Sequence, residues 1–245
     1  MPKDRYYFSG ELKRDKTILL TDSEAHHLMH VMRNRVGDLV EIVNGRGALA
    51  VGKVVNCTRR EVALEITEWE TTPLRPHPKL TLAIAYLNPS RLELAVEKCT
   101  ELGVDAFTLY DGARGARKLS VEGVLKRIDQ VIIAASKQSG RVWFPEVHCA
   151  PPIGEWTESS KKQLYFGTLE QKRPKLIAAL QSDHSKASSK EVEEIAFVVG
   201  PESGFSPEEE RHLEEIGARG VSLGNCLLRS ETAAILAAGI LQHTV

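Results

Sequence analysis

From Lys79 to the C-terminus, runs of β-branched and apolar residues alternate with runs of helical periodicity, and this alternation restricts the fold more than any other feature. Residues 80–86, 106–110, 163–167, 195–199 and 220–223 read as strands. Residues 89–102, 121–139, 174–181 and 231–243 read as helices, and Ser206 opens another, with Pro207 in its first turn and Glu209 completing a capping box. Strands that alternate with helices in this way build a mainly parallel sheet covered on both faces, an α/β architecture. Residues 182–194 are polar enough to be expected as a mobile loop.

The first seventy residues follow another rule. Residues 39–43, 48–55 and 61–66 are closely spaced β-type runs, separated by Gly45, Gly47 and the Arg59-Arg60 turn. A small β-barrel or curled sheet is expected there. Thr21 and Glu24 have capping-box spacing ahead of a helix expected to reach about Arg33. Pro73, Pro76 and Pro78 then remove helix and sheet options and favour an extended spacer. The division is therefore set at residues 1–72 and 79–245.

Composition excludes several classes. No stretch of about 18 apolar residues exists to cross a bilayer. Met1-Pro2-Lys3-Asp4-Arg5 leads into no apolar signal region, and the four cysteines are scattered without metal-type pairing, so a cytoplasmic location is expected. His26, His27 and His30 lack the neighbouring carboxylates or thiols of a metal site, and no metal is expected. The net charge of −1 selects no partner, but its distribution is uneven. Residues 1–60 carry eleven Lys/Arg against seven Asp/Glu, residues 112–145 seven against two, and residues 191–215 one against nine. The two basic stretches can track a phosphate backbone; solvated helix faces account for the same charges.

Four segments can carry chemistry. Val199-Gly200-Pro201-Glu202-Ser203-Gly204-Phe205 joins an expected strand to the capped helix. Its glycines let backbone approach a ligand at a strand's carboxyl end, and it matches neither a dinucleotide nor a triphosphate loop. Leu223-Gly224-Asn225-Cys226-Leu227-Leu228-Arg229-Ser230-Glu231-Thr232-Ala233 brings a cation, an anion and hydroxyls to a helix N-terminus. A Ser cap with Glu at the positive helix end is the plainer explanation of that cluster. Glu93, Glu97 and Glu101 repeat along one helix face, with Lys98 or Arg91 as expected partners. Gly140 reads as the residue after a helix end, where Lys137 and Arg141 suit either the helix dipole or phosphate.

The order of these segments resembles the RsmE-type family of small-subunit ribosomal RNA methyltransferases, in the SPOUT class. The likeness runs over essentially the whole chain. It rests on His27-Leu28 through Arg33 and Gly37-Asp38, on Glu97-Lys98-Cys99-Thr100-Glu101-Leu102-Gly103-Val104, and on Gln138-Ser139-Gly140-Arg141. Gly200-Pro201-Glu202, Leu223-Gly224 and Leu228-Arg229-x-Glu231-Thr232-Ala233 complete it. Ser203, Cys226 and Lys137 depart from the family's usual glycine, arginine and acidic residue; Ser203 is strained if its position needs positive φ.

The resemblance implies a SPOUT-type parallel sheet with a C-terminal trefoil knot behind a PUA-like β-barrel. It implies a homodimer transferring methyl from S-adenosylmethionine to N3 of a uridine in small-subunit (16S) ribosomal RNA, with assembled 30S particles the expected substrate. Gly200, Pro201, Glu202, Gly204, Leu223, Gly224, Leu227, Leu228, Thr232 and Ala233 are the implied cofactor contacts. Arg229 is the candidate that stabilises charge on the uracil, and Glu231 and Glu202 are alternatives for accepting the proton or orienting Arg229. Arg5, Arg33, Arg114, Arg117 and Arg141 are candidates for RNA backbone contacts. A non-catalytic RNA-binding assembly factor, and a methyltransferase acting on another RNA, stay open as alternatives.

Overall fold

Residues 4–74, 78–113, 121–158, 161–170, 172–186 and 192–244 are described by a computed structural model. Arg114 and Arg117 lie outside the described residues. By compactness the chain divides into two units, Met1–Arg75 with Ile133–Phe144, and Pro76–Ile132 with Pro145–Val245.

In the first unit β1 (Arg5–Tyr7), β2 (Thr17–Thr21), β3 (Leu39–Val43), β4 (Ala48–Cys57) and β5 (Glu61–Thr71) form one sheet in the order β1-β3-β4-β5-β2. Alternation sets which face is buried: Ile18 and Leu20 of β2, and Val62, Leu64 and Ile66 of β5, enter a core shared with Tyr6 and Leu28. Register shifts at Val51/Gly52 and Val54/Asn56 bend the long β4–β5 pair, so the sheet curls over that core. β1 and β2 are its edges.

The helix of this unit departs from expectation. α1 (Asp22–His26) runs into a π-helical turn at His27–Val31, and the chain leaves it through Arg33 at φ 58°. Thr21 is the N-cap, but its side chain makes no capping bond. Glu24 instead accepts from the Tyr7 backbone N–H at 3.0 Å and from Lys137 Nζ at 2.6 Å. Two donors, one of them charged, outweigh an exposed cap of about 1 kcal/mol. Ile133–Phe144 belongs here because its backbone meets the 45–47 turn: Gly47 N–H donates to Val142, and Phe144 N–H to Gly45. Gly47 sits at φ 85°, where a Cβ would come within 2.5 Å of the Trp143 indole. The linear division leaves this segment with the second domain, because its contacts lie far away in sequence.

The second unit is built on β6 (Lys79–Ala85), β7 (Ala106–Tyr110), β8 (Glu146–Ala150), β9 (Lys162–Gly167), β10 (Glu194–Val199) and β11 (Arg219–Val221). Every pairing is parallel, in the order β11-β9-β10-β6-β7-β8. Its helices are α2 (Pro89–Glu101), α3 (Val121–Ser139), whose last turns count with the first unit, α4 (Leu176–Lys186), α5 (Pro207–Glu215) and α6 (Ser230–Thr244). Ala83, Val198 and Phe166 lie level on one sheet face and pack with Leu213 of α5. α6 packs on β6 and β10, with α2 and α4 against it. Both faces are thus covered, as the alternation requires.

Local signals hold at several boundaries. Asn88 caps α2, and the capping box of Ser206 and Glu209 forms in full. Gly103 takes φ 93° where α2 stops. The acidic stripe on α2 finds cations: Lys98 holds Glu97 and Glu101, and Arg127 holds Glu93. The expected loop over 182–194 is helical as far as Lys186, because Asp183 accepts from Tyr165 Oη and Arg219 and ties that turn to the sheet.

Candidate active site

β9, β10 and β11 end side by side, and an open parallel sheet presents its loops there. The loops after them, with Arg91 from the first turn of α2, enclose a cleft of about 1590 Å³. Gly200, Pro201, Glu202, Gly204, Leu223, Gly224, Leu227, Leu228, Arg229 and Ala233 all line it.

The framework beneath the cleft is tightly bonded. Ser230 Oγ donates to the Gly200 carbonyl at 3.0 Å and joins the two loops. Tyr110 Oη donates to the Val199 carbonyl at 2.8 Å. Burial, then the negative charge of Glu209, holds that hydroxyl well above the usual phenol range, so it stays a donor. Gly204 takes φ 74°, and its N–H donates to the Pro201 carbonyl. Ser203 is not among the residues with positive φ, so serine is unstrained there. A Cβ on Gly200 would lie 3.1 Å from the Phe205 ring, a tight contact to which the ring would have to yield.

The charged residues separate into two groups. Arg229 is exposed on the cleft wall, and among the described residues no hydrogen bond or ion pair engages its guanidinium. It does not tether Glu231. Arg91 does that work instead: its Nη1 lies 2.7 Å from Glu202 Oε1, and its Nε 3.9 Å from Glu231 Oε1. Glu202 is exposed at the surface of the cleft, whereas Glu231 is buried behind the lining, with Oε2 lacking a hydrogen-bond partner among the described residues. Thr232 is exposed and does not line the cleft. The sequence suggested Arg91 only as a neutraliser of the acidic stripe; its position one turn into a helix following a strand was the signal for a site residue.

The basic candidates differ in the same way. Arg5 is largely sequestered, with Nε and Nη2 both donating to Glu41 Oε2. Arg141 donates to the Trp143 carbonyl, while Arg33 is exposed at the end of the π-helical turn. Among the described residues no three His, Cys, Asp or Glu side chains gather to hold a metal ion, and no helix is long and apolar enough to cross a membrane.

Residues 75–242 match the RNA methyltransferase domain family, and residues 20–67 the RNA methyltransferase PUA domain. Ribosomal RNA small subunit methyltransferase E of Mycobacterium bovis is 31% identical over 230 residues, covering 88% of this chain and 82% of its own. The crystal structure of the Neisseria gonorrhoeae enzyme of that name, bound to S-adenosyl methionine, superposes with a TM-score of 0.84 at 26% identity, over 98% of this chain and 97% of that one. A methyltransferase structure from Legionella pneumophila, in complex with the bound cofactor SAM, gives a TM-score of 0.85 at 26% identity, over 99% and 98%. The fold is therefore shared with solved methyltransferases over nearly the whole chain, and the chain belongs to the RNA methyltransferase family that includes ribosomal RNA small subunit methyltransferase E.

Proposed function

We propose that this chain methylates N3 of a uridine in small-subunit (16S) ribosomal RNA, using S-adenosylmethionine. The observation that carries the reading is Arg229, without a partner among the described residues, on the wall of a strand-end cleft in an RNA methyltransferase domain. The cleft fits the cofactor. Leu223, Leu227 and Leu228 offer apolar surface to an adenine ring, and Gly200, without a side chain, lets backbone groups come close. At about 1590 Å³ the space exceeds the ~300–1,000 Å³ typical of one small ligand, which leaves room for a nucleobase.

The cofactor supplies an electrophilic methyl group; the chain supplies position and charge. Uridine N3–H is weakly acidic, so its proton must leave as the methyl group arrives. Negative charge then spreads onto the flanking carbonyl oxygens, and a fixed guanidinium stabilises that state more than the ground state. Arg229 takes this role, and Glu202 or Glu231 takes the proton. In-line approach of the base is a matter of holding it in place.

The finer features belong to the same reading. The first unit binds RNA through Arg33 and its neighbours. In this reading the C-terminal segment, β11 followed by α6 packed on β6 and β10, is knotted. The protein acts as a cytoplasmic homodimer on assembled 30S particles; Leu94 of α2 and Leu236 of α6 remain exposed on helices that pack together, an apolar surface suited to a second copy. Incubation of the purified protein with methyl-labelled S-adenosylmethionine and small ribosomal subunits should place label in 16S RNA as N3-methyluridine. Cofactor binding without transfer would favour an assembly factor, and label in another RNA a different substrate.

A further inference from the structure

We propose that Arg91 is a positioning residue of the methyl-transfer site, which holds Glu202 at the cleft surface as the group that takes the proton from uridine N3, while buried Glu231 serves as the counter-charge of Arg91 and never meets the base. The proposal rests on the methyl-transfer reading and assigns the role which that reading leaves between two carboxylates.

Three elements converge on this point. Arg91 comes from the first turn of α2, Glu202 from the loop after β10, and Glu231 from the first turn of α6. Arg91 and Glu202 line the cleft, whereas Glu231 does not. The Glu202 side chain is 48% exposed and that of Glu231 8%. A proton acceptor must come within about 2.6–3.2 Å of the proton, directly or through one water. Glu202, on the cleft surface, is open to a base held in the cleft, and buried Glu231 is not. One oxygen lies 2.7 Å from Arg91, and among the described residues no donor engages the other. Glu231 sits beneath the wall, 3.9 Å from the same guanidinium, with its second oxygen buried and without a hydrogen-bond partner among the described residues.

The arrangement follows from charge. A buried carboxylate needs a cation, and Arg91 is the cation that reaches Glu231. A guanidinium drawn inward by one acid presents its outer edge to the other. Glu202, a long side chain on an exposed loop, gains a fixed direction it would not hold alone. In the step itself the N3–H proton passes to the free oxygen of Glu202, and the electron pair left on N3 forms the new bond to the methyl group. Arg229 faces the carbonyl oxygens across the base.

The test uses Arg91→Met, Arg91→Lys, Glu202→Gln, and Arg91→Met combined with Glu231→Gln or with Glu202→Gln. Each full-length variant is measured for melting temperature, cofactor dissociation constant by calorimetry, and single-turnover methyl transfer to small-subunit RNA. Arg91→Met is expected to melt lower, to bind cofactor nearly as the wild type does, and to lose about a hundredfold in rate. Adding Glu231→Gln removes the stranded charge and restores the melting temperature but not the rate. Arg91→Lys keeps the melting temperature and recovers part of the rate. Adding Glu202→Gln to Arg91→Met costs little further, because both act on one step. Rate returning together with melting temperature in the Glu231→Gln combination would reduce Arg91 to a structural tie and overturn the proposal. A folded Glu202→Gln with normal rate would do the same. If the wild type makes N3-methyluridine and Arg91→Met is as fast, this proposal alone fails; if the wild type methylates no uridine, the methyl-transfer reading fails with it.

Discussion

Replacing Arg229 by alanine should separate chemistry from stability. The side chain is exposed, and among the described residues nothing is bonded to its guanidinium, so truncation strands no internal partner. Surface changes of that kind alter stability by about 0.5 kcal/mol or less, or roughly 1–2 °C in melting temperature for a chain of this size. The rate should respond very differently. Loss of one preorganised group that meets developing charge lowers turnover by about 10²–10³, or ~2.7–4 kcal/mol of transition-state stabilisation. Cofactor affinity should stay close to that of the wild type if, as proposed, the group meets the base and not the adenosine. Arg229→Lys should recover only part of the rate, because a point charge lacks the planar fork that spans two acceptors. The assay is single-turnover methyl transfer, with melting temperature and cofactor affinity measured on the same preparation. A variant that melts lower but turns over normally would make Arg229 a structural residue. Normal melting and normal turnover together would remove it from the transition state.

Other substitutions follow from the same geometry. Gly204→Ala should destabilise by about 1 kcal/mol or more, since φ 74° disfavours any side chain, whereas Ser203→Gly should leave thermal unfolding nearly unchanged. Glu24→Ala should lower the melting temperature more than Lys137→Ala, because it frees both the Tyr7 N–H and the Lys137 ammonium, at about 1–3 kcal/mol for an unsatisfied group. Arg33→Ala should weaken RNA binding uniformly across sequences and reduce the slope of log affinity against log salt by about one, as measured by titration at several salt concentrations.

What the sequence discloses depends on whether a signal is local. Ser206, Pro207 and Glu209 name a helix start, and the start is there, because all the partners lie within one turn. Thr21 and Glu24 carry the same spacing and form no box, since Glu24 is claimed by Tyr7 and by Lys137, the latter 113 residues away. β8 was not legible: Glu146-Val147-His148-Cys149-Ala150 is an edge strand with no buried face to impose alternation. The loops that line the cleft were legible mainly through the family resemblance, since glycines at strand ends alone read as turns. Arg91 was not. Its helix reads as an acidic, solvated face, and only the fold brings the first turns of α2 and α6 to one carboxylate pair.

The central claim, methylation of uridine N3 in small-subunit RNA, is tested most directly by mass mapping of modified nucleosides. Small-subunit ribosomal RNA is compared between cells that contain this protein, cells that lack it, and cells that carry only its Arg229→Ala form. One N3-methyluridine, present at one site in the first, should be absent from the second and strongly depleted in the third, with every other modification unchanged. An unaltered map, or loss of a methyl group from a different base or atom, would contradict the account.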